Sequence, residues 1–136
     1  MTQLRTAWRR AVETVALADQ HADPACPTLA ELLAYVGPEA ESSDWTCNEI
    51  ECMGPLADEL CRDGDAGPVA GPRLLELADG LTHVLSGTFE ANRPGDERPW
   101  LALRAVAGTH FVVATQSRAL LDELRRRYEV PPGEDC

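Results

Sequence analysis

Between Asp19 and Asp65 the chain carries twelve carboxylates against one cation, Arg62. Any fold it adopts must leave that stretch facing water, because an ionised carboxylate buried without a partner is strongly disfavoured. The stretch accounts for the whole formal net charge of -11, since the remaining residues balance at eleven acids and eleven arginines. Cys26, Cys47, Cys52 and Cys61, four of the five cysteines, lie inside it. An acidic surface with thiols in it selects for cations, for a basic partner or for a metal.

A length of 136 residues predicts a single domain over 1–136. Aromatic residues make up only 5% of the chain. Leucine, valine and alanine must then fill the core, which favours helix packed on helix.

Leu4, Trp8, Ala11, Val12 and Val15 recur at helical spacing and predict a helix from Gln3 to about Ala18. Thr28-Leu29-Ala30-Glu31 reads as a capping box that opens a short helix ended by Gly37-Pro38. Residues 37–70 read as an irregular acidic insertion containing cysteines. Inside it, Pro55 opens a short helix to about Cys61, and Asp63 to Pro68 form a loop.

Leu74, Leu77, Ala78, Leu81, Val84, Leu85 and Phe89 predict the longest helix, from Pro72 to near Ala91, with Gly80 inside it. Trp100–Val106 and His110–Thr115 read as a hairpin, followed by a helix that Ser117 caps, together covering about 99–130. The expected fold is therefore α+β and mainly helical, with four to five helices and one C-terminal hairpin. A lone hairpin is marginal in water, so it must lie on the helices or find a third strand in a second copy, as in a homodimer.

All twelve cations are arginine, a bias typical of a GC-rich bacterial genome. Without lysine, Schiff-base chemistry, a pyridoxal-phosphate linkage and a P-loop lysine are excluded. A net charge of -11 repels phosphate backbones, so no nucleic-acid partner is expected. No run of 18 apolar residues occurs, so no membrane partner is expected either, and a cytoplasmic location is the simplest reading.

The cysteines are separated by twenty, four and eight residues, which matches no zinc-knuckle or iron–sulfur pattern in full. They read first as free thiols, with two disulfides among Cys26, Cys47, Cys52 and Cys61, in any of three connectivities, as a lesser reading. Cys26, Cys47, Cys52 and Cys61 remain the candidate metal or redox set, and zinc or an iron–sulfur cluster is the only cofactor in view. On the predicted long helix Asp79 and His83 stand four apart and share a face, half of a catalytic or metal site. Asp63-Gly64-Asp65 begins like a calcium loop, but Pro68 and Leu74 stand where an EF-hand needs glycine and glutamate.

The expected role is a small interaction or accessory protein, of the immunity, inhibitor or adaptor kind, in preference to an enzyme. Its docking surface for a basic protein would use Glu39, Glu41, Asp44, Glu49, Glu51, Asp58, Glu59, Asp63 and Asp65. A thiol or metal protein on the cysteines, and a small enzyme on Asp79 and His83, are the alternatives.

Overall fold

A computed structural model describes residues 13–17, 28–106, 110–115 and 117–128. Its centre is an antiparallel sheet of six strands: β1 (Glu13–Leu17), β2 (Asp44–Met53), β3 (Val69–Ala70), β4 (His83–Asn92), β5 (Leu101–Val106) and β6 (His110–Thr115). Their order across the sheet is β1-β6-β5-β4-β2-β3. Five helices are described: α1 (Leu29–Val36), α2 (Pro38–Ser42), α3 (Ala57–Ala66), α4 (Gly71–Asp79) and α5 (Arg118–Tyr128).

The expectation of a mainly helical fold with an isolated hairpin is thus overturned. β5 and β6 pair as the sequence implied, but β4 continues the sheet beyond β5, and β1 continues it beyond β6. The chain supplies its own further strands. Val15 stands opposite Val113, and Leu17 opposite Phe111, so residues 13–17 belong to a strand where the spacing predicted a helix. The rest of that predicted helix lies outside the described residues.

α1 forms as expected. The Thr28 hydroxyl accepts from the Glu31 amide at 3.1 Å, and the Glu31 carboxylate accepts from the Thr28 amide at 2.9 Å. The supposed irregular insertion is instead built from α2, β2, α3 and β3. Within it, α3 runs on through Gly64 and Asp65, where the composition predicted a loop. A Cβ on Gly64 would stand 3.1 Å from Cys47 Cβ, so the glycine lets α3 sit close against β2.

The predicted helix from Pro72 to Ala91 divides into α4 and β4. Gly80 ends α4, its amide donating to Leu77 O at 3.0 Å. A Cβ there would lie 2.8 Å from Leu56 Cβ, so the close packing expected of this glycine occurs at a helix end. Beyond it, Val84 and Phe89 are both buried although they stand an odd number of positions apart, which a regular strand would place on opposite faces.

A bulged ladder reconciles the two. Asn48 pairs with Thr88, Glu51 with Ser86 and Cys52 with Val84, so the register shifts twice, in opposite senses. Glu49 adopts φ 55° and Gly87 φ 131° at this point. The bulges gave β4 the apolar spacing of a helix.

The core lies between one face of the sheet and the helices. Trp45, Cys47, Phe89, Ala91, Leu101, Leu103, Phe111 and Val113 meet Leu29, Leu32, Leu33, Leu60, Leu74, Leu77, Leu121 and Leu124 in one cluster. Each fully buried large apolar side chain contributes about 1.5–3 kcal/mol. Only Asp44 and Trp45 of β2 pair with β3, and α3 packs along the strand. The bulge and the nearby charges discourage edge-to-edge pairing of β2 with another sheet.

Candidate docking surface

The nine acids assigned to a docking surface sit on three consecutive elements. Glu39 and Glu41 lie on α2, Asp44, Glu49 and Glu51 on β2, and Asp58, Glu59, Asp63 and Asp65 on α3. Residues 28–79 hold twelve carboxylates and two arginines, and their strands, β2 and β3, form one end of the sheet. α5, which carries Arg118, Arg125, Arg126 and Arg127, packs against β1 and β6 at the other end. The charge of the described molecule is therefore polarised along the sheet.

Three of the nine acids are tied to arginines. Arg73 on α4 holds Glu59 Oε2 and Asp63 Oδ2, each at 2.9 Å, and Glu76 Oε1 at 2.5 Å. These partners keep the guanidinium charged far above the physiological range, led by the bond to Glu76. Arg93 bonds Glu39 Oε2 through Nη2 at 2.6 Å and lies 4.6 Å from the centre of the Trp100 ring. All are partly exposed pairs, which solvent and salt screen, so each contributes little to stability.

Glu41, Asp44, Glu49, Glu51, Asp58 and Asp65 are exposed, and none is bonded to an arginine among the described residues. Glu51 accepts only a long bond, 3.4 Å, from the Ser86 hydroxyl. The acidic stretch is thus divided: α4 and the β4–β5 turn neutralise part of it, while β2 and the outer side of α3 keep their charge in water. Asp19 and Asp23 lie outside the described residues.

The thiols separate by environment. Cys47 is buried under α3, and burial pushes it up to about 12. Cys52 is half-buried and raised to about 11, first by burial, then by the Cys61 thiol beside it and by Asp58. Cys61 on α3 donates to Ile50 O at 3.7 Å. Among the described residues no three histidine, cysteine or acidic side chains are placed to hold a metal ion. Cys26, the remaining member of the candidate set, lies outside them.

Asp79 and His83 do not share a helix face. Asp79 is the last residue of α4 and exposed, whereas His83 opens β4 opposite Met53. The helix on which their pairing depended ends between them. Sequence reasoning missed Glu90, a buried carboxyl on the face of the sheet opposite the core, with Thr46 and Ala102 as its cross-strand neighbours. It also missed the role of Arg73 as the anchor for three acids.

No helix among the described residues is long and apolar enough to cross a membrane. No protein-family model, curated protein or solved structure matches this chain.

Proposed function

We propose that the chain is an interaction protein that docks a basic protein through the acidic end formed by β2 and α3. One observation supports the reading above all: among the described residues, six exposed carboxylates on α2, β2 and α3 lack an arginine partner, while the arginine-rich α5 packs at the far end of the sheet. Such a surface steers a cationic partner toward itself, and the attraction weakens as salt screens it. The Debye length is about 8 Å at physiological ionic strength, so the attraction weakens as salt is raised.

A charge-matched comparison separates a site from bulk charge. Glu49→Gln, Glu51→Gln and Asp58→Asn together remove three of the six unpaired charges from the acidic end, whereas Asp96→Asn, Glu97→Gln and Glu123→Gln remove equal charge elsewhere. Binding of an arginine-rich peptide, followed by calorimetry at low and high salt, is expected to fall at least tenfold in the first variant and little in the second. Equal losses in both, or an affinity that does not change with salt, would refute a docking site at this end.

A further inference from the structure

β2 leads into α3 through a short turn whose backbone is bonded on both sides. Ala57 N donates to Gly54 O at 3.1 Å, Leu56 N to Gly80 O at 3.0 Å and Thr82 N to Met53 O at 2.8 Å. α3 is thereby folded back over the strand it follows. Its first turns lie against Ile50 and Cys52, and its Gly64 lies against Cys47.

Two thiols from different elements meet in this fold-back. Cys61 Sγ stands 3.7 Å from Ile50 O, two residues from Cys52 on the same strand, which brings the Cys61 thiol close enough to act on that of Cys52. Both are partly exposed, whereas Cys47 is buried. A disulfide joins sulfurs about 2.0 Å apart, so closure requires the Cys52 and Cys61 side chains to turn toward each other across the fold-back. Glu49, Glu51 and Asp58 surround the pair in sequence and are exposed. Their charge repels an anionic reagent and attracts a cationic one.

We infer that Cys52 and Cys61 are a redox modification site, a dithiol that closes into an intrachain disulfide by exchange with cationic low-molecular-weight disulfides. Because Cys52 is held as a thiol by burial and by Asp58, the exchange begins at Cys61. The Cys61 thiolate attacks one sulfur of the reagent, breaks its S–S bond, releases one thiol and leaves a mixed disulfide. Cys52 gives its proton to solvent and attacks Cys61 Sγ, forming the Cys52–Cys61 bond and releasing the second thiol. The protein loses two protons and two electrons, and the reagent takes them up to become two thiols. The bridge pins the start of α3 to β2. This inference stands on the thiol geometry and does not require the docking proposal.

The test treats the reduced, folded protein with cystamine, a dicationic disulfide, and maps the linkage by mass spectrometry of digested protein. The expected digest contains a Cys52–Cys61 linked species, lighter by two hydrogens than its two reduced peptides together and reversed by dithiothreitol, whatever adducts the other cysteines carry. Cys47→Ser gives the same linkage, while Cys52→Ser and Cys61→Ser each keep a cysteamine adduct on the remaining thiol. Oxidised wild-type protein is also expected to show slower amide exchange in the first turn of α3. Wild-type protein with stable adducts on both Cys52 and Cys61, or with either of them linked to another cysteine, would overturn the assignment. Faster exchange in α3 after oxidation would do so as well, since the bridge would then have required unfolding.

Discussion

The indole nitrogen of Trp100 donates a 2.9 Å hydrogen bond to the hydroxyl of Ser43, joining the start of β5 to the junction between α2 and β2. Both side chains are buried, and the Ser43 hydroxyl in turn donates to Glu39 O at 2.8 Å. Glu39 is the residue that Arg93 holds, and Arg93 stacks on Trp100. One side of the acidic segment is thus fastened to the middle of the sheet by a closed circuit of polar contacts.

Ser43→Ala removes the acceptor and leaves the Trp100 N–H buried without a partner. The expected loss is about 1–3 kcal/mol in urea unfolding. The neighbouring Ser42 donates to the same Glu39 O at 3.3 Å but is exposed. Ser42→Ala should therefore change stability by less than about 0.5 kcal/mol. Similar costs for the two substitutions would show that the Trp100 contact contributes little.

Glu90 tests the opposite case, a buried carboxyl that the fold disfavours in its charged form. Desolvation raises its pKa above the ordinary 4.5. A raised folded value means that the folded state holds the proton more tightly than the unfolded chain. The protonated form thus contributes stability that is complete below the unfolded pKa and lost as pH rises through the folded one. Glu90→Gln, which cannot ionise, is expected to gain about 1 kcal/mol over wild type at pH 7. The gain should shrink toward pH 4. Unfolding midpoints of the two proteins across this range provide the measurement, and a constant difference would place the charge in a solvated site.

Alkaline stability depends on Cys47. In the unfolded chain its thiol ionises near 9, whereas burial holds the folded thiol neutral up to about 12. Stability is therefore full below pH 9 and falls as pH rises beyond it, at about 1.4 kcal/mol per pH unit for this one group. Cys47→Ala should remove that share of the slope between pH 9 and the folded value, while the contribution of Cys52 remains. An unchanged alkaline slope in the variant would show that the thiol is hydrated in the fold.

Local signals in the chain were legible wherever one element acts alone. The Thr28–Glu31 capping box, the β-runs at 101–106 and 110–115, and the Ser117 cap, whose hydroxyl accepts from Leu120 N at 3.3 Å, all appear as the residues imply. β2 was not legible, because its alternation breaks at the Glu49 bulge. β4 was misread, because the compensating register shifts space Val84 and Phe89 as a helix would. A bulge is a property of two paired strands, and neither strand announces it alone.

The charge segregation was determined by the sequence alone: carboxylates between Asp19 and Asp65 outnumber cations twelve to one in any conformation. Which of them still face water unpaired was decided by tertiary structure. Arg73 and Arg93 come from α4 and from the turn after β4, and reach the acids only when those elements pack against α2 and α3. The same holds for the thiols. Spacing alone leaves Cys52 and Cys61 with no defined relation, and the fold-back of α3 onto β2 brings them into contact, because Leu60 must be buried against the sheet.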